Sequence, residues 1–114
     1  MTRVDRFFNL AKEKAVSGDS IRKYRLGAVG VRSDGATVTS RNLSTRVPEP
    51  NAHAEKRLVK KLDSGSVVFV VRVLADGSLT MARPCVNCQN AMRGRGVKQC
   101  FYSINDNEYG VIKF

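Results

Sequence analysis

The sequence SVVFVVRVL, residues 66–74, is a nearly unbroken apolar run that the turn signal Asp76-Gly77 follows. A run of this kind suits a strand covered on both faces, because a strand with one wet face alternates apolar and polar residues. The flanking segments predict both helices and further strands, a combination typical of an α/β fold. We therefore expect residues 66–74 to form the centre of a mixed sheet.

Upstream of this strand, the pattern predicts a helix, a β-hairpin and a second helix. The hairpin follows from the turn residues 33–35, which separate two short strand-like segments. Residues 42–51 contain two prolines and are predicted as a loop. The predicted helices begin at the caps Thr2 and Asn51 and end at Gly18 and Gly65.

Downstream, Pro84 precedes a predicted third helix over residues 86–92, with Gly94 and Gly96 as its terminators. Two strands then follow, joined by a turn at residues 105–107. So short a turn joins antiparallel strands only. The expected fold is a three-layer α/β/α domain over residues 1–114, with a five-stranded mixed sheet whose last two strands are antiparallel.

The charge balance is strongly basic: 20 Lys and Arg face 10 Asp and Glu, for a net charge of +10. The excess is spread evenly, since residues 1–50 and residues 51–114 each hold ten basic and five acidic residues. This favours polyanionic or phosphate-bearing partners; the alternative is a basic surface that only confers solubility. The absence of a long apolar run and of a signal peptide predicts a cytoplasmic protein without a membrane partner.

Two short segments carry side chains suited to metal chemistry. His53-Ala54-Glu55 opens the second predicted helix, and Pro84-Cys85-Val86-Asn87-Cys88 opens the third. One imidazole and two thiolates are a common donor set for catalytic zinc, and helix N-termini favour thiolates. Glu55 is placed to act as an unligated carboxylate that moves protons.

Other interpretations of these residues remain open at this point. A Cys-x-x-Cys pair in a reducing compartment can be a redox pair. Cys100 is expected to be a buried small apolar residue, and the alternative is a fourth zinc ligand in a closed structural site. Phe101 and Tyr102 can stack on a base, but aromatic residues on strands more often belong to the core.

His-x-Glu followed by Pro-Cys-x-x-Cys resembles the signature of the zinc-dependent cytidine and deoxycytidylate deaminase superfamily. The resemblance extends to the order of the predicted elements. It implies that His53, Cys85 and Cys88 hold Zn²⁺ and that Glu55 shuttles protons while cytosine becomes uracil. Among the substrate-binding residues it implies Asn42, which would hold the sugar or else be an ordinary loop residue, together with Ala54 and Pro84.

The resemblance also bears on the substrate. The closing hairpin resembles the cytidine-acting branch, because the tRNA adenosine-acting branch has a parallel last strand. Arg41 and Arg46 flank Asn42, next to which free-cytidine deaminases carry an acidic residue, and they suit a 5′-phosphate or a strand backbone. Residues 77–105 contain no acidic residue, and four cations there are expected near the zinc motif: Arg83, Arg93, Arg95 and Lys98. We expect a cytosine-containing nucleoside or nucleotide, most simply a phosphorylated one.

Two alternatives to this small substrate stay open. The basic residues would also suit single-stranded DNA or RNA, whose backbone a basic groove can follow. A non-catalytic, zinc-stabilised nucleic-acid-binding module is the alternative outside enzymes. Small members of the superfamily often assemble, so the resemblance further implies a homo-oligomer.

Overall fold

The computed structural model describes residues 3–16, 24–41 and 54–114, with only the backbone described for Tyr24, Arg41 and residues 54–56. The elements follow the predicted alternation of helices and strands. They are α1 Arg3–Val16, β1 Tyr24–Val31, β2 Thr37–Arg41, α2 Ala54–Val59, β3 Val67–Leu74, β4 Leu79–Thr80, α3 Val86–Arg95, β5 Gln99–Ser103 and β6 Tyr109–Lys113. No helix in these ranges has the length and apolar character needed to cross a bilayer.

The strands form one mixed sheet in the order β2-β1-β3-β5-β6, with the apolar strand β3 at its centre as predicted. β1 pairs antiparallel with both β2 and β3. β3 and β5 are parallel, whereas β5 and β6 are antiparallel, which confirms the prediction for the closing hairpin. Val68, Phe69, Val70, Val71 and Val73 are each 0–1% exposed, so β3 is covered on both faces.

Each face of the sheet carries its own core, because alternate residues of a strand point to opposite sides. On one face Phe7 and Phe8 of α1 pack around Phe69 of β3. On the other face Leu58 of α2 and Met92 of α3 are fully buried against the sheet. The chain therefore has the expected α/β/α layers.

The helix α1 lies unusually close to the sheet at Gly27. A Cβ atom there would overlap the carbonyl oxygen of Ala11 and lie 2.8 Å from the Ala15 nitrogen. Both contacts are to helix backbone, which has no freedom to move aside. Gly27 therefore sets the spacing between α1 and β1.

Three details predicted from the sequence are wrong: the number of strands and the ends of two helices. The sheet has a sixth strand, the two-residue β4, because the Asp76–Gly77 turn folds the chain back onto β3; Ser78 donates from N (2.9 Å) and Oγ (2.6 Å) to Asp76 Oδ1. Gly94 does not terminate α3, which continues to Arg95 and ends at Gly96 in the left-handed conformation (φ 87°). α2 ends at Val59 rather than Gly65, since the next amides bond three residues back. The predicted caps and stop at Thr2, Gly18 and Asn51, and the loop 42–51, lie outside the described residues.

Candidate active site

The register of the sheet aligns one residue from each of four strands in a single row. Arg41 of β2 pairs with Gly27, and Gly27 pairs with Val71. Ser103 lies level with Val71, one residue beyond the parallel pair of Val70 with Tyr102. Arg41 is the last residue of β2, and Ser103 is the last of β5. The chain therefore leaves β2 towards Asn42 at the same edge of the sheet at which β3 and β5 end.

The segment that leads into α3 is fastened to this edge. Ala82 N donates to Ser103 O at 2.8 Å, and the buried Pro84 follows two residues later. Gln89 holds the turn from within the helix: its Nε2 donates to Pro84 O at 2.8 Å and its backbone N to Cys85 O at 2.9 Å. Gln89 is not among the residues predicted from the sequence, although a polar residue one turn after a Pro-Cys helix start is a signal for this role.

Both cysteines of the Cys-x-x-Cys segment are thiols at the start of α3. Cys85 is the N-cap, with extended backbone angles (φ −66°, ψ 166°), and its side chain makes no capping hydrogen bond within the described part of the chain. Cys85 is exposed, whereas Cys88, one turn later, is 1% exposed. Two thiols one turn apart, at the positive end of a helix, fit a soft divalent metal such as zinc.

The helix α2 begins at the same edge, because its other end contacts the opposite edge. There the β1–β2 turn meets the residues after α2: Arg32 Nη1 donates to Lys61 O at 2.8 Å, and Ser33 Oγ donates to Asp63 at 2.6 Å. Glu55, in the first turn of α2, therefore lies at the edge where α3 starts.

The structure places the remaining predicted residues only in part. Arg41, Ala54 and Glu55 are placed by their backbone, at the end of β2 and in the first turn of α2. Asn42, Arg46 and His53 lie outside the described residues. In the described ranges no three His, Cys, Asp or Glu side chains come together as a metal site.

Arg83, the cation next to Pro84, has a partner on β5 that was not predicted from the sequence. Arg83 Nη1 donates to the Tyr102 hydroxyl at 3.1 Å, and the guanidinium carbon lies 5.7 Å from the centre of the Tyr102 ring. Tyr102 is 8% exposed, and its ring occupies the space above Gly110. Arg83 itself is exposed, and no salt bridge joins it to a carboxylate in the described part of the chain.

Two other cations lie elsewhere than expected. Arg93 and Arg95 are close in sequence to Cys88 but occupy the last turn of α3, about 10 and 14 Å along the helix from its first residue. Arg93 donates to Asn90 and lies over the Phe114 ring, and Arg95 donates to main-chain oxygens after α2. The expectation that these two arginines stand beside the zinc motif is wrong.

Cys100 and the strand aromatics belong to the cores. Cys100 is 0% exposed among the residues between the sheet and α2 and α3, which confirms the expected burial. It is the second residue of β5, at the end of that strand away from Cys85. Phe101 points to the other face, where its ring stacks on Phe69 at 5.0 Å.

A carboxylate network fixes the edge opposite the site. Asp63 accepts hydrogen bonds from Ser33 Oγ, from Ser33 N at 3.0 Å and from Ser66 Oγ at 2.7 Å, and Arg32 lies 3.8 Å away. These contacts, those from Ser33 foremost, hold the pKa of Asp63 well below its ordinary value of 3.8. The network ties the β1–β2 turn to the segment between α2 and β3.

Comparison with known proteins agrees with this architecture. Residues 1–104 match the family described as the cytidine and deoxycytidylate deaminase zinc-binding region, and the chain belongs to that family. The family gives Zn²⁺ as the cofactor. None of the curated proteins compared with the chain matches it.

Solved cytidine deaminases share the fold. The structure from Burkholderia pseudomallei superposes with a TM-score of 0.71 at 17% identity, covering 99% of this chain and 93% of that one. The structure from Mycobacterium leprae gives 0.67 at 16% identity, covering 97% and 94%. The structure from Mycobacterium tuberculosis gives 0.62 at 17% identity, covering 90% and 85%. Family and fold together define the chain as a zinc-binding deaminase.

Proposed function

We propose that the chain is a hydrolytic deaminase that converts cytosine to uracil in a small, phosphorylated cytidine or deoxycytidine. The observation that carries this proposal is the arrangement at one sheet edge, where the ends of β2 and β5 and the starts of α2 and α3 meet. Of the segments that contribute predicted site residues, those that the structure describes, the end of β2 and the starts of α2 and α3, lie at this edge. Family membership supplies the reaction class, and the described cysteines fit the zinc that the family implies.

His53, Cys85 and Cys88 would hold the metal. A zinc ion held there supplies a Lewis acid that lowers the pKa of water. The Glu55 carboxylate accepts a proton from the attacking water and passes it to N3 of the ring while the water oxygen bonds to C4. Glu55 then takes the remaining proton from the oxygen on C4 and gives it to the exocyclic amine. The bond from C4 to that amine breaks, ammonia leaves, and the ring is left as uracil.

Two features support cytosine and a phosphate on the substrate. The antiparallel β6 matches the cytidine-acting branch of the superfamily. Asn42 would hold the sugar, and Arg41, Arg46 and the exposed Arg83 would supply cations for a 5′-phosphate, in a region where residues 77–105 bring no acidic side chain.

The second candidate is a deaminase of single-stranded DNA or RNA. The net charge of +10 favours it, because a basic surface can follow a strand backbone while the target base enters the pocket. The small domain argues for the free nucleotide, since a single sheet of this size offers little surface to a long strand. A non-catalytic zinc-stabilised module is the remaining alternative.

One experiment separates these functions. Cytidine, its 5′-phosphates, the deoxy forms and a cytosine-bearing single strand are offered in parallel to the zinc-loaded protein, and uracil is measured. The proposal predicts turnover of the phosphorylated monomers, and none by Glu55→Ala. Turnover of the strand alone, with salt-sensitive binding, would establish the second candidate. Zinc and strand binding without turnover, unchanged in Glu55→Ala, would establish the module.

Assembly and location complete the proposal. We propose a homo-oligomer, as the resemblance to small superfamily members implies, and a cytoplasmic location for an enzyme that depends on reduced thiols. Light scattering of the zinc-loaded protein tests the first, and fractionation of cells that express it tests the second.

A further inference from the structure

A cluster of contacts joins the C-terminal ends of α2 and α3, at the end of the helix layer away from the candidate site. Arg95, in the last turn of α3, donates from Nε to Leu62 O at 3.0 Å and from Nη2 to Lys60 O at 3.1 Å. One residue further on, Gly96 O accepts a hydrogen bond from Gly65 N at 2.8 Å. A single guanidinium thus spans the gap between the two helices.

The carbonyls that Arg95 reaches come directly after the last turn of α2. The last two carbonyls of α2, those of Leu58 and Val59, accept hydrogen bonds from the amides of Lys61 and Leu62, so Arg95 serves the turn that follows the helix. A positive charge at that position also interacts favourably with the helix dipole. Arg95 therefore fastens the turn at the end of α2 to the last turn of α3.

The backbone of Gly96, next to Arg95, also packs closely against Ser64 in the segment after α2. Gly96 has φ +87°, and a Cβ at this position would lie 2.7 Å from Ser64 Oγ and 3.0 Å from Ser64 Cα. Side-chain bonds and backbone packing together fix the distance between the helix ends. Both helices then lead, over six and ten residues, to the edge that carries the motif residues.

We infer that Arg95 is a positioning residue for the zinc site: it sets how the start of α2 faces the start of α3. The inference rests on the proposed zinc ligands, His53 at α2 and Cys85 and Cys88 at α3. Metal ligands must be held to within about half an ångström, so a change of angle between two short helices weakens binding. Arg95 touches neither metal nor substrate and acts through the helices.

Zinc affinity provides the test. Metal-free wild-type protein and the Arg95→Gln variant are titrated with Zn²⁺ alone against a chromophoric chelator, and the free energy of unfolding of each metal-free chain is measured. Arg95→Gln is expected to bind zinc about threefold to tenfold more weakly, as for residues that couple sites without contacting a ligand. A variant that loses unfolding free energy but keeps wild-type zinc affinity would show a purely structural role and overturn the inference.

Arg93→Gln is the matched control, because it removes the same charge from the same helix turn. Arg93 contacts Asn90 and the Phe114 ring instead of α2, so its zinc affinity should stay within about twofold of wild type. An equal loss in both variants would attribute the effect to charge and overturn the inference.

Arg95→Lys keeps the charge but lacks the planar fork that serves two carbonyls. It should recover part of the affinity lost in Arg95→Gln. If Arg95→Gln does not fold, the zinc affinity of Arg95→Lys is compared with that of the control Arg93→Gln. Wild-type zinc affinity in Arg95→Lys would then overturn the inference.

The proposed function and the role of Arg95 are contradicted by different outcomes. A wild-type chain that binds zinc but deaminates no cytosine substrate would contradict that function, while the affinity ratio would still decide the role of Arg95. A wild-type chain that binds no zinc would overturn both.

Discussion

Arg83, the residue that precedes Pro84 and Cys85, donates a hydrogen bond from Nη1 to the hydroxyl oxygen of Tyr102 at 3.1 Å. Tyr102 is buried, whereas Arg83 is exposed as a whole. Within the described ranges no acidic side chain neutralises it in a salt bridge. Arg83 is therefore an oriented cation at the rim of the candidate site.

Replacing Arg83 by Gln should change the preference for phosphorylated substrates. We expect kcat/KM for cytidine 5′-monophosphate to fall about tenfold, the scale of one lost charge-assisted hydrogen bond, while kcat/KM for cytidine is unchanged. Steady-state kinetics with both substrates give the ratio. Arg93→Gln, with the same loss of charge at the far end of α3, should leave the ratio at the wild-type value; equal losses on both substrates would contradict a phosphate contact.

Cys88 and Cys100 form a matched pair of cysteines, 1% and 0% exposed, with different expected roles. Cys88→Ser should no longer retain zinc during dialysis against a chelator, because a ligand is lost. Cys100→Ser should retain zinc but lose about 1 to 3 kcal/mol of unfolding free energy, since it buries a hydroxyl in an apolar core. Metal analysis measures the zinc retained, and urea unfolding measures the free energy of unfolding. Loss of zinc in Cys100→Ser would show that Cys100 is a ligand.

The Asp63 network should make stability depend on pH in the acid range. A carboxyl whose pKa is lowered by folding contributes stability that is fully present above its unfolded value, 3.8 here, and is lost as the pH falls through the folded value. Wild type should therefore exceed Asp63→Asn in unfolding free energy at neutral pH and lose that advantage in acid below pH 3.8.

A double-mutant cycle with Ser33→Ala isolates the contact responsible. Ser33→Ala removes the hydrogen bond from Ser33 Oγ to Asp63 and leaves the one from Ser33 N, so the coupling reports the Oγ contact and should be present at neutral pH and decline in acid. Urea unfolding at a series of pH values measures it. A coupling that does not vary with pH would exclude the charged carboxylate as its source.

Gly27 and Gly94 should respond oppositely to alanine. At Gly27 the added methyl group meets the backbone of α1, and we expect a loss of at least about 3 kcal/mol in unfolding free energy. At Gly94, inside α3, no described atom lies within 4 Å of the added Cβ, and alanine should stabilise the helix by about 0.5 to 1 kcal/mol. Thermal or urea unfolding of both variants checks the contrast, and a stable Gly27→Ala would mean that α1 can move off the sheet.

The apolar pattern was sufficient for the architecture because it reports burial directly. Residues 66–74 can bury so many adjacent apolar side chains only at the centre of a sheet that is covered on both faces, and β3 lies there. The turn at residues 105–107 is too short for a crossover, so the antiparallel β6 follows from chain geometry. The Cys-x-x-Cys pair could be assigned to a helix start because Pro84 precedes it.

Other features depend on distances that a sequence does not contain. Arg95 is seven residues from Cys88, yet the rise of the helix carries it to the other end of the layer. The pairing of Arg83 with Tyr102 depends on where β5 lies beside the segment 81–85, which the register of the sheet decides. Gly94 and Gly96 both predict the end of α3, but only the backbone shows that Gly96, in the left-handed conformation, is the residue that ends it.

The connections at the site edge have a further consequence for how such a chain can diversify. The turn after β3, the segment 81–85 and the turn after β5 all leave the sheet at one rim, whereas the two sheet-facing cores lie below it. Insertions at Asp76–Gly77 would extend the rim without altering the strand that carries the turn. A lineage can therefore acquire new selectivity by lengthening its loops while the hydrolytic machinery is inherited intact.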